Sequence, residues 1–259
     1  MSEAPENFVI WEGVLPGFPK AGGADTFADP QIVARIAAQA ECEAESVGQG
    51  KPVRDISVFN QYPLPGLLAV LSTAKPLTVL DFGGGIGRTY LSVRATAAHP
   101  QRIRFYVVEL GGLAKAGRAL FAGDPQINFI ESIDAAPRAV DVVHAGSAFH
   151  YVDDWKGLLR RFAGLGPDYI AFGNLLAGDI EPYVTMQNYW GHKIPVRFHN
   201  FDAVMSELKG LGFELVFDAF HEQMLLGKRQ PLPLDHFPEN RRLIYGRNVI
   251  LKRLGGDSR

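Results

Sequence analysis

Cysteine, net charge and long apolar runs are all scarce in this chain of 259 residues. Its one cysteine, Cys42, excludes an internal disulfide framework and a cysteine-based zinc site, and fits a reducing cytoplasm. Lysine and arginine total 26 against 28 acids, a formal charge of −2, so there is no cationic excess of the kind that holds nucleic acid. No apolar run approaches the ~20 residues of a membrane span. The opening "MSEAPENFVIWEG" has acids where a secretory leader would carry its basic region. A soluble, cytoplasmic protein that handles a small molecule, with neither nucleic acid nor membrane as partner, is the expectation.

What is present is alternation. Residues 1–28 are rich in Gly, Pro and acids with isolated aromatics such as Phe8 and Trp11, and read as an arm draped over something larger. Asp29 followed by Pro30 is a helix start, and Ile32, Val33, Ile36, Ala37 and Ala40 share one helical face, which predicts a helix to about Ser46. A second helix around Leu67, Leu68, Val70 and Leu71 leads to Pro76. From there short apolar runs over 77–82, 103–110, 127–130, 140–145 and 169–172 alternate with helical stretches over 88–98, 113–121 and 154–165. That alternation is the mark of a mostly parallel sheet covered on both faces. A helix capped by Asn200, the run "FELVFDAF" and a last strand over 247–253 complete the pattern. The division expected is an arm with helices over 1–76 covering a core over 77–259, with lid insertions near 174–199 and 222–245, since long connections in compact domains are often lids or binding loops.

The stretch "LTVLDFGGGIGRTY" raises the functional question. Asp81, Gly83, Gly85 and Gly87 form D-x-G-x-G-x-G at a strand-to-helix turn, where bare backbone admits a ligand and a helix N-terminus receives an anion. A nicotinamide fingerprint needs its third glycine at position 88, which is Arg. The next strand ends in "FYVVEL", so Glu109 stands at the sheet edge, where a carboxylate can accept two hydrogen bonds from a ribose diol. The alternative for these residues is a tight turn beside a solvated acid.

Taken together, "VLDFGGGIGRTY", "YVVELGGLAKAG", "DVVHAGSAFHYVDD" and "VTMQNY" resemble the class I S-adenosylmethionine-dependent methyltransferases, and more narrowly a bacterial group of methyltransferases whose substrates are largely unassigned. The resemblance implies an α/β, Rossmann-like, doubly wound, mostly parallel seven-stranded sheet with a late antiparallel strand and an N-terminal helical extension. It implies S-adenosylmethionine as cofactor, with the glycine turn against its methionine part and Glu109 on its ribose. Ser132 and Ile133 by backbone and Asp134 by side chain would meet the adenine, although a polar turn capping a short helix explains them equally well. Ser147 would lie beside the methionine and the transferring methyl. Where the group has a Gln-Pro-His-like run after its acid, this chain has Leu110, Gly111 and Gly112, which puts in doubt contacts made by those side chains.

The chemistry expected is methyl transfer to a small-molecule acceptor, without a metal and with oxygen as the guessed acceptor atom. Positioning supplies most of the acceleration of such a reaction. His150 is either a general base or a structural histidine satisfied by Asp153 or Asp154. Tyr183, Gln187 and Asn188 in the first insertion are the acceptor-binding candidates, with packing of the lid as the other role for its aromatics. A non-catalytic nucleoside-cofactor-binding or interaction protein is the alternative, and a nicotinamide oxidoreductase is disfavoured by Arg88.

Overall fold

The structure is a computed structural model that describes residues 9–19, 26–51, 64–225 and 228–255. The opening of the arm, Phe8 included, and residues 20–25 lie outside the described residues. The chain enters through strand β1 (Trp11–Leu15) and helix α1 (Pro30–Gly48). Asp29 starts α1 as its residues dictate: the carboxylate accepts from the N–H of Gln31 at 2.7 Å and of Ile32 at 3.4 Å, and Pro30 sits where no N–H is needed. Helix α2 (Leu64–Ala74) then leads into the alternating core.

The core runs β2 (Leu77–Phe82), α3 (Arg88–Thr96), β3 (Ile103–Val108), α4 (Gly111–Leu120), β4 (Ile127–Ile130), β5 (Val142–Gly146), α5 (Trp155–Gly164) and β6 (Tyr169–Leu175). After it come β7 (Ala177–Gly178), β8 (Tyr183–Tyr189), β9 (His192–Asn200), α6 (Phe201–Gly210), β10 (Phe213–His221), β11 (Gln223–Leu225), β12 (Lys228–Gln230) and β13 (Gly246–Arg253). Seven strands form one sheet in the order β10-β13-β6-β5-β2-β3-β4. β2, β3, β4, β5 and β6 run parallel, and β13 inserts antiparallel between β6 and β10. The order reverses direction at β2, next to β5, which is the switch point where open α/β sheets take their ligands.

Both sheet faces are buried. Phe149, Phe162, Phe172 and Phe213 pack with Val204 and Leu208 beneath α5 and α6 on one side. Leu64, Leu68, Tyr90, Leu91 and Phe105 fill the other beneath α2 and α3. This double burial explains why the parallel strands read as continuous apolar runs.

The insertion expected at 174–199 is itself a sheet. β8 and β9 form a hairpin, β7 lies parallel to β9, and β1 adds antiparallel to β8 with Trp11 opposite Gln187. The hairpin loop is Trp190 and Gly191, both at positive φ, 46° and 86°, as a two-residue turn of right-handed strand twist demands. Trp190 holds this unusual backbone with its ring stacked on Tyr189 at 4.8 Å and Arg35 over it at 4.6 Å. Residues of the second insertion, Leu232, Leu234, Phe237 and Leu243, pack onto this sheet with Trp11, Tyr183 and Phe198.

Asn200 joins the two sheets. Its Oδ1 accepts from the Ala203 N–H at 3.0 Å as the cap of α6, while its Nδ2 donates to the Ile180 carbonyl at 3.2 Å. Asn200→Ala is therefore expected to lower unfolding free energy by about 1–2 kcal/mol. Urea denaturation should show an earlier midpoint with an unchanged slope; an unmoved midpoint would mean that solvent replaces both bonds.

Candidate functional site

A cavity of about 490 Å³ opens at the carboxyl ends of β2, β5 and β6. Of the residues singled out from sequence, Gly83, Gly85, Glu109, Ser147, His150 and Gln187 line it together. A smaller recess of about 220 Å³ shares Phe82, Gly83 and Glu109 with it and is lined by Ser132 and Ile133. The remaining sequence candidates sit outside both spaces. Asp81 is fully buried in β2 beneath the turn, bonded through Oδ1 to His144 Nδ1 at 2.7 Å. Gly87 precedes α3, where a Cβ would meet Phe121 and Ile127 at 2.8 Å. Asp134 is exposed and pairs with Arg161 at 3.0 Å. Tyr183 is buried in the lid with its ring stacked on Phe198 at 4.9 Å, and Asn188 Nδ2 donates to the Val9 carbonyl at 2.8 Å, tying the arm to the hairpin. Tyr183 thus has the packing role weighed for it above.

The turn presents backbone to the cavity. Gly85 has φ +59°, and nothing lies within 4 Å of where its Cβ would be, so a side chain there would fill the cavity. Gly85 N–H donates to Glu109 Oε2 at 3.0 Å, and the Leu110 N–H donates to Oε1 at 2.9 Å. Burial pushes the Glu109 carboxyl up from its ordinary range, against the pull of those two N–H groups. A carboxylate offers about four lone-pair positions, and these bonds use two, leaving one on each oxygen.

Helix α1 covers this end. A Cβ at Gly112 would strike Val33 at 2.9 Å, so Gly112, within the segment that replaces the Gln-Pro-His-like run, is what lets α1 lie on α4. Buried Glu43 of α1 accepts from Arg88 Nε at 3.1 and 2.9 Å and also from its Nη2. The arginine that breaks the nicotinamide fingerprint is thus the anchor of α1.

At the other end, Ser147 and Asn174 line the cavity with left-handed backbones, φ 54° and 53°, costing of order 1–3 kcal/mol each. Asn174 Nδ2 donates to Ser147 Oγ at 2.9 Å, Gln223 Nε2 donates to Asn174 Oδ1 at 2.6 Å, and the Asn174 N–H donates to Asn248 Oδ1 at 3.0 Å. Tyr151 O–H donates to Gln187 Oε1 at 2.8 Å. Trp11, Phe27, Tyr151 and Tyr189 supply aromatic walls. Arg88, Tyr151, Asn174 and Gln223 were not identified as site residues from sequence, although Arg88 breaks the glycine fingerprint, Tyr151 follows His150 and Asn174 opens the first insertion.

His150 does not have the partners expected of it. Asp153 pairs with Arg197 at 2.8 Å and Asp154 caps α5 through the Gly157 N–H at 2.9 Å, which leaves His150 Nδ1 buried without a partner. Burial pushes its imidazole down to about 3, so at neutral pH it is uncharged and a weak proton acceptor. Among the described residues no group of three or more His, Cys, Asp and Glu is placed to hold a metal ion, and no helix is long and apolar enough to cross a membrane.

No protein-family model matches the chain, and no curated protein matches it. Solved structures do. Magnesium protoporphyrin IX methyltransferase from Synechocystis with bound S-adenosylmethionine aligns at TM-score 0.54 and 12% identity, covering 91% of this chain and 100% of that one. The 1,6-didemethyltoxoflavin-N1-methyltransferase from Burkholderia thailandensis, with its substrate and S-adenosylhomocysteine bound, aligns at TM-score 0.50 and 13% identity, covering 93% and 95%. The fold is that of class I S-adenosylmethionine-dependent methyltransferases, with the seven strands, mostly parallel, and the late antiparallel strand anticipated from the sequence.

The neutral His150 has a consequence for stability. Its pKa is depressed from 6.5 to about 3, so the stability it contributes is whole above 6.5 and is lost as pH falls from 6.5 toward 3, because the unfolded chain takes up the proton first. Between about pH 8 and about pH 5 the native protein should lose roughly 2 kcal/mol through this residue alone. His150→Gln, measured by urea unfolding at both pH values, should lose that much less; equal losses in the two proteins would place His150 in contact with water.

Proposed function

We propose that this chain is an S-adenosylmethionine-dependent methyltransferase acting on a small-molecule acceptor without a metal ion. The observation that carries the reading is the pairing of Gly85, whose missing side chain leaves open space, with Glu109, which keeps one lone pair on each oxygen facing the same cavity. Together they suit a ribose diol beside a close-approaching backbone, and the two solved structures of this fold carry S-adenosylmethionine or S-adenosylhomocysteine.

In this reading Glu109 accepts from the ribose hydroxyls, Ser132 and Ile133 border the adenine in the adjoining recess, and Gly83 and Ser147 border the methionine part. When bound, the cofactor supplies an electrophilic methyl group. The chain's own residues orient the acceptor in line with it and exclude water, which is where the rate gain of such a transfer lies. Asp81 acts one layer below, holding the turn with His144. The small-molecule assignment draws on the lining: Arg88 is its one Lys or Arg among the described residues, and Glu43 already neutralises it, so nothing there holds a polyanion. The two matched enzymes are named for small molecules, magnesium protoporphyrin IX and 1,6-didemethyltoxoflavin.

Calorimetry with S-adenosylhomocysteine tests the assignment. The native chain should bind it more tightly than NAD. Glu109→Ala should weaken binding by about 1.5–3 kcal/mol, the order for hydrogen bonds to a charged group, and Gly85→Val should abolish it through strain at positive φ and loss of space. Tighter NAD binding, or unchanged affinity in a folded Glu109→Ala, would sink the reading. Cofactor binding with no acceptor across a broad screen would favour a non-catalytic role.

A further inference from the structure

The acceptor half of the cavity has a definite chemical character. Its walls are aromatic and come from four elements: Trp11 from β1, Phe27 from the turn before α1, Tyr151 after β5 and Tyr189 from β8. Phe27 meets both tyrosines at 5.8 Å between ring centres, inclined 70° to Tyr151 and 50° to Tyr189, so the three rings wall an aromatic corner with both faces and edges. Such a corner suits a flat π-system.

Charge is nearly absent. Among the described residues, Arg88 and Glu109 are the only Asp, Glu, Lys or Arg side chains lining the cavity. Arg88 is neutralised by Glu43, and Glu109 lies at the cofactor end against Gly85 and Leu110. A charged acceptor would lose its hydration here and find no counter-charge.

What the protein does offer is donors. Ser147 Oγ accepts from Asn174 Nδ2, and its own proton has no acceptor among the described residues. Asn174 is fixed in that role because Gln223 donates to its Oδ1 and Asn248 holds its backbone N–H. Trp11 lines the cavity with its ring and is 2% exposed, while its Nε1 is buried out of reach of a ligand. No group at the acceptor end is a strong proton acceptor: Glu109 lies at the cofactor end on the Gly85 and Leu110 N–H groups, and His150 is held neutral by burial.

We propose that the acceptor is an uncharged, planar nitrogen heteroaromatic compound, held in the aromatic corner of Phe27, Tyr151 and Tyr189 and methylated on a ring nitrogen whose lone pair needs no deprotonation. The inference rests on the methyl-transfer reading and narrows it from the oxygen acceptor expected from sequence. In the step, the ring lone pair forms the N–CH3 bond while the S–CH3 bond of S-adenosylmethionine breaks, its electron pair passing to sulfur. The positive charge moves from sulfur to the ring nitrogen, and no proton leaves. Ser147, Asn174 and Gln223 are positioning residues for the other heteroatoms of the ring.

Three flat probes of similar size separate the possibilities: quinoline, 2-naphthol and 2-naphthoate, each titrated by calorimetry into the protein saturated with S-adenosylhomocysteine, and each incubated with S-adenosylmethionine for mass spectrometry. Quinoline should bind at least about tenfold more tightly than 2-naphthoate, and N-methylquinolinium should form at a rate flat with pH above the ring's own titration. Phe27→Ala and Tyr189→Leu should each weaken quinoline about tenfold while S-adenosylhomocysteine affinity stays within about threefold, which shows the variants folded. Equal or tighter 2-naphthoate binding, methyl transfer to 2-naphthol alone, a rate that climbs with pH, or quinoline affinity untouched in both variants would overturn the proposal. Failure of S-adenosylhomocysteine to bind the native chain would overturn the methyl-transfer reading itself, and this inference with it.

Discussion

At Gly84 a Cβ would sit 2.4 Å from Asp81 Oδ2, and at Gly83 another would sit 2.5 Å from the Cβ of Ala148. Neither approach is open to any residue with a side chain, so the turn after β2 can lie against β5 and its following loop only as bare backbone. The arrangement of the cavity follows from that closeness. It sets the Gly85 N–H on Glu109, brings Ser147 to the lip of the cavity and starts α3 where Arg88 can reach Glu43. The buried Asp81–His144 pair supports the same turn from below, a polar contact inside a sheet that is otherwise apolar at its centre.

A second constraint shapes the opposite wall. Left-handed backbones at Ser147 and Asn174 are unfavourable alone, and they persist because each is over-determined: Ser147 by its N–H on the Gly173 carbonyl at 2.8 Å, Asn174 by Asn248, and both by the bond between them. The cavity therefore has one wall of backbone amides and one of fixed polar side chains, roofed by aromatic rings. That separation of character between its ends gives one space two chemically distinct halves.

The core sheet was legible because each strand is buried on both faces and the helices carry their own start signals, as Asp29 and Asn200 illustrate by capping where the sequence placed them. Gly83, Gly85 and Glu109 were legible for the same local reason. The second sheet was not. β9 carries Pro195 at its centre, a residue that argues against a strand, and its hairpin turns on Trp190 rather than on an Asn-Gly or Asp-Gly signal. The pairing of β1 with β8 has no local signature at all, so Trp11 read as a stray aromatic of an arm. Phe27 was hidden likewise, since its contact with Tyr151 is made across the tertiary fold.

The placement of β1 also orders events in time. Synthesis delivers Trp11 and α1 first, yet the strand that pairs with Trp11 and the hairpin that His192 ties to Asp29 at 3.0 Å arrive only after the parallel sheet is complete. The beginning of the chain must stay available until then, held by no sheet partner of its own. Closure of the aromatic end is a late, non-local step with a large loop to close, whereas the glycine turn and Glu109 come together as soon as β3 is made. A nascent chain can thus complete the backbone-lined end of the cavity long before its aromatic end exists.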